Sequence, residues 1–196
     1  MGFKFKTFYL VFLSCFAVVL IAGCNKHKYP DHIIAGEKSG RHIYYSGSLG
    51  IEIYPLSNTS DFHDWEIDIN NDGTNDCILE YYAGIGLGSQ SCQISIKPVG
   101  SQNCAFVIAN SGGNYVDTIP SNTIIDDNKL WHHGGCILYH YAHDPSTTSK
   151  YGLWDGVKNK YVGVRAMAGE HTIFGWLRIE INGFNLKFFD YAGTGD

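Results

Sequence analysis

The residues best suited to chemistry lie in a short acidic loop between two apolar stretches. The loop has the pattern D-x-N-x-D-G-x-x-D, in which oxygen-bearing side chains recur at every second position and a glycine permits a sharp turn. Calcium binds many oxygen ligands in flexible geometry, and three acids in one turn repel each other without a cation. We therefore predict a structural calcium site with five ligands, which are the side chains of Asp68, Asn70, Asp72 and Asp76 and the carbonyl of Thr74.

The flanks and the end of this loop separate it from an EF-hand. The position where an EF-hand has a bidentate Glu is Leu79, and residues 65–69 and 77–82 alternate as strands do. The pattern resembles the calcium loops of bacterial surface β-modules and of the thrombospondin type 3 class. The alternative is a hairpin turn that binds no ion, since Asp-Gly is itself a strong turn signal.

The N-terminal residues predict export and lipidation. Two lysines precede an apolar segment at residues 8–22, which is the pattern of a secretory signal. The signal ends in Ile-Ala-Gly-Cys, which is similar to the lipobox of bacterial lipoproteins. This resemblance implies that residues 1–23 are removed, that Cys24 carries the lipid anchor, and that Asn25 favours the outer membrane. It leaves open whether the periplasmic or the surface face is used.

The mature chain is expected to be one acidic domain on a short tether. Residues 24–40 are polar and read as a tether, and residues 41–196 have the length of a single domain. Removal of the signal leaves 12 basic and 19 acidic residues, because two of the 14 basic residues lie within it. This balance argues against a nucleic-acid partner, which requires a positive surface.

Composition and turn spacing predict an all-β fold. The sequence has 23 Gly, 13 Tyr and 11 Phe, and turn residues recur every eight to twelve positions. We predict an antiparallel β-sandwich, jelly-roll-like or Ig-like, with at most one short helix or irregular segment at residues 121–134. In the C-terminal part, alternation predicts that Leu177, Ile179 and Ile181 face one side of a strand. It places Trp176, Arg178 and Glu180 on the other side.

The cysteines suggest disulfide bonding. Cys15 lies in the signal, and four cysteines remain after Cys24 is lipidated. An even number in an exported domain predicts at least one disulfide, although all four could instead be buried thiols. The candidates, whose pairing stays open, are Cys77, Cys92, Cys104 and Cys136.

No catalytic residue is predicted. Four histidines crowd one segment, but residues three apart on a strand point to opposite faces and do not converge on a metal. No G-x-S-x-G nucleophile motif occurs, and no spacing marks a carboxylate pair. Three tryptophans are candidates for stacking on a ligand, with core packing as the alternative; they are Trp131, Trp154 and Trp176.

The C-terminal part carries a second resemblance. Its segments 160–165, 174–179 and 190–192 read KYVGVR, FGWLRI and DYA. They are similar to a "YxGxR…YGWxRxxV…DYAY" ending of uncharacterised exported bacterial β-proteins, which often have a D-x-N-x-D-G loop upstream. The resemblance implies export and a β-fold and assigns no biochemical activity.

Together these patterns predict a calcium-stabilised β-sandwich lipoprotein of the bacterial envelope. We expect a non-enzymatic binding or structural module with glycan as its ligand. The alternatives are an envelope hydrolase acting on carbohydrate and a subunit of a larger envelope assembly. Two carboxylates roughly 5–10 Å apart across a cleft would favour the hydrolase, whereas an exposed aromatic face would favour binding.

Overall fold

The computed structural model describes residues 30–55, 59–100, 104–110 and 112–195. Within these ranges the chain consists of strands and turns and has no helix, which confirms the predicted all-β fold. In the same ranges no helix has the length and apolar character needed to cross a bilayer. The predicted signal segment and Cys24 lie outside the described residues.

Fifteen strands make up the described part of the chain. Eight of them have four residues or fewer, and the two longest have twelve. They are β1 His32–Ile34, β2 Ile43–Tyr45, β3 Ile51–Ile53, β4 Ser60–Ile67, β5 Cys77–Gly86, β6 Ser89–Pro98, β7 Cys104–Val107, β8 Ile119–Pro120, β9 Ile124–Asp126, β10 Trp131–His132, β11 Cys136–His143, β12 Thr148–Tyr151, β13 Val157–Ala168, β14 His171–Asn182 and β15 Asn185–Thr194.

The strands form two large antiparallel sheets and a small third layer. The five-stranded sheet has the order β12-β11-β6-β5-β4. The eight-stranded sheet has the path β10-β7-β13-β14-β15-β2, with β3 also paired to β15 and β8 to β13. The third layer is the β1–β9 pair, whose strands run antiparallel.

The main core lies between the two large sheets. Strict alternation on β14 places Leu177, Ile179 and Ile181 in this core, as predicted, opposite side chains of the five-stranded sheet such as Leu79 and Ile94. Each of these five side chains is at most 1 % exposed. Burial of such aliphatic side chains is the principal stabilising contribution, at about 1.5–3 kcal/mol for each.

A second core lies on the other face of the eight-stranded sheet. There Ile33 of β1 and Ile125 of β9, both fully buried, pack with Phe174 and Trp176 of β14. The prediction that residues 24–40 form a polar tether is therefore wrong from residue 32 onward. The run Ile-Ile-Ala at residues 33–35 is apolar, and its two isoleucines belong to β1, which covers this face of the eight-stranded sheet. The polar residues on either side of the run obscured its apolar character in the sequence.

The segment predicted as a short helix or irregular stretch has no helix and is irregular apart from two short strands. Residues 121–134 contain β9 and β10, which add to the third layer and to the edge of the eight-stranded sheet. Here Ile124–Asp126 pairs with β1 rather than forming a helical turn. Long-range pairing therefore overrides a local pattern that lacked strand alternation.

Candidate functional site

The acidic loop connects β4 to β5 and is folded around its own carboxylates. Asp68 accepts hydrogen bonds from the backbone N–H of Asp72 at 3.2 Å and of Gly73 at 2.7 Å. Asp72 in turn accepts the N–H of Thr74 at 2.8 Å. Gly73 has a φ of 88°, which L-residues rarely adopt, so the glycine is what lets the chain reverse here.

Asp76 closes the loop and lies among the other acids. It accepts the N–H of Ile69 at 2.8 Å, which fixes the far end of the loop to its start. Burial, together with the nearby charges of Asp72 and Asp68, raises the pKa of Asp76 to about 6, although the Ile69 hydrogen bond opposes this shift. The Asp76 carboxylate is therefore poorly solvated and lies near two further acidic side chains, of which Asp72 is exposed to solvent.

Asn70 supplies an unpaired oxygen in the same loop. Its amide nitrogen donates to Asp72 at 3.1 Å, but its Oδ1 atom is buried and has no hydrogen-bond partner in the described part of the chain. A buried acceptor left unpaired costs about 1–3 kcal/mol, and a cation would satisfy it. The ligand types thus fit a hard cation. As folded, however, no three His, Cys, Asp or Glu side chains among the described residues form a group that could hold a metal.

The base of the acidic loop packs closely against glycines in the C-terminal part of the chain. A Cβ atom on Gly175 would lie 2.4 Å from the Ile69 side chain, and one on Gly193 would lie 2.2 Å from the Ile69 carbonyl oxygen. A Cβ on Gly195 would meet the Asn70 carbonyl oxygen at 2.9 Å. The two motifs noted in the sequence are therefore in direct contact, because the glycines make room for the loop.

The C-terminal pattern builds a buried ion cluster. Asp190 is fully buried and pairs with Arg178 through two hydrogen bonds, of 2.9 Å to Nε and 2.7 Å to Nη2. Its second oxygen also accepts from Lys38 at 2.7 Å and from the Tyr45 hydroxyl at 2.8 Å. Hydrogen bonds to Asp190 and Tyr45 raise the pKa of Lys38. The cluster ties the N-terminal segment to β14 and β15.

Two of the three candidate tryptophans cannot stack on a ligand. Trp176 is fully buried beneath the N-terminal segment, and its indole N–H donates to the carbonyl of Glu37 at 3.1 Å. Trp154 is also fully buried and donates to the carbonyl of Val116 at 3.1 Å. The ligand-stacking prediction is wrong for both, because each ring fills the interior while its single polar atom finds a backbone acceptor.

Trp131 is half-buried and already has neighbours on its ring. The guanidinium carbon of Arg165 lies 5.0 Å from the ring centroid, and Phe174 packs at 6.1 Å. Arg165 is itself held by Asp127 at 3.0 Å and by His133 at 3.1 Å. The exposed part of the Trp131 ring therefore lies at the edge of its cation–π contact with Arg165.

The four candidate cysteines are free, buried thiols. This contradicts the predicted disulfide and agrees with the alternative considered for Cys77, Cys92, Cys104 and Cys136. Cys77 and Cys104, from opposite sheets, are in hydrogen-bonding contact, which with burial raises the pKa of Cys77 well above its usual value. Burial raises the pKa of Cys92 to about 12. These groups act as small apolar side chains in the core.

The outer face of the five-stranded sheet carries a row of side chains that sequence reasoning missed. Register pairs align one residue from each strand across the whole sheet. Phe62, Tyr82 and Tyr151 are 59 %, 43 % and 37 % exposed. We name this set the aromatic row; from β4 to β12 it consists of Phe62, Tyr82, Gln93, His140 and Tyr151.

The aromatic row is long, and part of it is rigid. Four inter-strand spacings make it about 19 Å long. His140 and Tyr151 stack with ring centroids 4.1 Å apart and planes inclined by 10°. His140 Nδ1 is buried without a hydrogen-bond partner among the described residues, and burial lowers the pKa of this imidazole. Neutral His140 therefore stays packed on Tyr151 at ordinary pH.

The adjacent row on the same face has only small side chains. Because a strand alternates faces with period two, residues two positions away from the aromatic row lie beside it. A Cβ on Gly84 would lie 3.0 Å from the Tyr82 hydroxyl, so the Tyr82 side chain extends over this row of small residues. The row of small residues consists of Ser60, Gly84, Ser91, Ala142 and Ser149.

Comparison with known protein families, with curated proteins and with solved structures finds no match for this chain.

Proposed function

We propose that this protein is a calcium-stabilised β-sandwich module of the bacterial envelope that binds glycan. The observation that carries the proposal is the aromatic row, which combines three exposed rings with an amide and an imidazole on a surface made of strands. Sugar rings have apolar faces and hydroxyl edges, so they suit aromatic faces flanked by hydrogen-bonding groups. The regular register holds these groups in fixed positions, which reduces the entropy lost on binding.

The charge of this face favours a neutral glycan. Asp64 and Glu80 lie two residues beyond the aromatic row on β4 and β5, and therefore on the same face, and Lys97 pairs with Glu80 at 2.6 Å. Asp64 is exposed and adds a net negative charge to this end of the face. An acidic polymer would be repelled here, whereas a neutral hydroxyl can donate to the carboxylate.

The proposal is tested by binding of polysaccharides to the mature domain. We expect neutral polysaccharides to bind and the double variant Tyr82→Ala/Tyr151→Ala to lose at least about tenfold in affinity, which corresponds to about 1.4 kcal/mol. Affinity electrophoresis or calorimetry measures this, with Met167→Ala as the control for loss of an exposed side chain on the other sheet. Unchanged affinity in the double variant, or no binding to any neutral polysaccharide, would refute the proposal.

Calcium is proposed as the ion that completes the acidic loop. The crowded carboxylates of Asp68, Asp72 and Asp76 and the unpaired Asn70 oxygen support this assignment. Some of the carboxylates would have to turn from backbone donors toward the ion. Because the bidentate Glu is missing, we expect a dissociation constant on the order of 10⁻⁴ M, which is typical of extracellular modules.

Lipidation at Cys24 is proposed from the sequence alone. Strand β1 begins at His32 and its Ile33 is buried, so few residues separate the proposed anchor from the fold. An extended segment between residues 24 and 32 would span at most about 30 Å, which would hold the domain close to the membrane. Retention of Cys24→Ser in the membrane fraction, with acyl labelling intact, would exclude this anchor.

A further inference from the structure

A surface pocket of about 250 Å³ lies on the outer face of the eight-stranded sheet. Its lining includes Glu180 of β14 and Lys187 of β15, which alternate with core residues and therefore point away from the five-stranded sheet. The pocket is thus on the opposite side of the sandwich from the aromatic row. The polar and aromatic side chains of the lining are Tyr54, Lys158, Glu180, Asn182, Asn185 and Lys187.

One side of the pocket is held in place by a short chain of hydrogen bonds. The Tyr54 hydroxyl donates to Glu52, and the same carboxylate accepts from Lys187 at 2.9 Å. Glu52 and Lys187 are cross-strand partners on β3 and β15. The Tyr54 ring is 55 % exposed and yet anchored at its hydroxyl, so it presents a fixed aromatic surface.

The other side of the pocket offers groups that the protein leaves unused. In the described part of the chain the amides of Asn182 and Asn185 and the ammonium of Lys158 make no side-chain hydrogen bond or ion pair. Asn182 and Asn185 are register partners on either side of the β14–β15 turn, so both amides lie at one end of the pocket. Each amide can donate and accept.

The charges around the pocket are balanced. Lys158 and Lys187 are opposed by Glu180 and by Glu52, which bonds to Lys187. A charged ligand would leave the pocket with an unbalanced net charge. An uncharged ligand with many hydroxyls could instead form hydrogen bonds with both the donors and the acceptors of the lining. The volume is below the 300–1,000 Å³ of typical drug-sized sites, which limits the ligand to a single ring.

We propose that this pocket binds one neutral pyranose unit, with its apolar face on Tyr54 and its hydroxyls on Asn182 and Asn185. The inference shares its ligand class with the proposed function, but its residues lie on the other face of the molecule. It therefore gives the protein two separate sugar sites. If one glycan or two linked chains reach both sites, the combined affinity exceeds that of either site.

The test uses free monosaccharides and the whole mature domain. Glucose, galactose and N-acetylglucosamine are titrated to about 50 mM, because a single ring is expected to bind in the millimolar range. We expect amide chemical-shift changes at the β14–β15 turn and saturable binding by at least one of the sugars. Tyr54→Ala and Asn182→Ala should each weaken this binding at least about fivefold while the thermal midpoint stays within a few degrees.

The outcomes separate this inference from the proposed function. Tyr82→Ala/Tyr151→Ala should leave monosaccharide binding unchanged, and Tyr54→Ala should leave most of the affinity for polysaccharide at the aromatic row. If no sugar in the panel shifts the turn resonances, or if both pocket variants bind as the wild type does, the pocket assignment is overturned even when polysaccharide binding persists.

Discussion

Two aspartates near the C-terminal strands, one fully buried and one partly buried, show opposite ways of removing a carboxylate from solvent. Asp190 is fully buried and receives hydrogen bonds from Arg178, Lys38 and Tyr45, so the fold itself supplies its counter-charges. Asp76 instead lies near two further acids of its loop, and its pKa is raised to about 6. The Asp190 cluster is complete as folded, whereas no positively charged side chain of the described residues forms an ion pair with Asp76.

The largest effect should come from removing the charge that completes the first cluster. Asp190→Asn leaves Arg178 and Lys38 facing each other without their carboxylate, and we expect a loss of about 3 kcal/mol in the free energy of unfolding. Denaturant titration measures this loss. Asp64→Asn is the matched control, because Asp64 is exposed, and it should change stability by less than about 0.5 kcal/mol. Equal small effects in both variants would show that the Asp190 cluster contributes no net stabilisation.

A smaller effect should follow from adding calcium to the second cluster. At a tenfold excess over the dissociation constant, mass action stabilises the fold by about 1.4 kcal/mol. The thermal midpoint of the wild type should therefore rise with calcium and fall with chelator, while Asp72→Ala should not respond. Asp190→Asn should still respond, because its cluster is separate from the loop. A midpoint that ignores calcium, or that moves equally in Asp72→Ala, would identify the loop as a turn without an ion.

The smallest effect should be the pH dependence of the loop without calcium. The folded pKa of Asp76, about 6, is above its ordinary value of 3.8, so the protonated form is favoured by folding. The stability linked to this group is fully present below pH 3.8 and is lost as the pH rises through 6. Because Asp76 is partly exposed, we expect a loss of only about 1 kcal/mol.

This pH effect is measured as a difference between two proteins in chelator. Other groups titrate over the same range, so the stability of Asp76→Asn is subtracted from that of the wild type at each pH. Asn keeps an oxygen that can accept the Ile69 N–H but cannot ionise. A difference that stays constant from pH 4 to pH 7 would mean that neither burial nor the neighbouring carboxylates raise the pKa of Asp76 in the folded protein, which would also weaken the case for a cation.

Sequence patterns anticipated the parts of the molecule that depend on local chemistry. Alternation placed Leu177, Ile179 and Ile181 in the core, and the acidic loop does connect two strands. Alternation also placed Trp176 on the opposite face of its strand, and this is correct. What it could not reveal is that Ile33, far away in the chain, covers that face, so a tryptophan expected at the surface is fully buried.

The aromatic row was missed for a related reason. Alternation does separate Phe62 from Trp65, and Tyr82 from Tyr81, so the outward position of each ring is implicit in the sequence. Their alignment depends on the register between β4 and β5 and on three further pairings, which long-range packing determines. The cysteines illustrate the same difficulty, since an even count does not distinguish paired thiols from buried ones.

The close packing of Ile69 against Gly175 and Gly193 has a consequence for the order of folding. The β4–β5 hairpin closes through neighbours in the chain, an event that takes microseconds. Its loop acquires its final surroundings only when the β14–β15 hairpin, more than a hundred residues away, docks beneath it. Contacts between such distant segments form slowly, because the intervening chain must first be ordered. We therefore expect the loop to be completed late in folding, so that an ion bound there would slow unfolding more than it would speed folding.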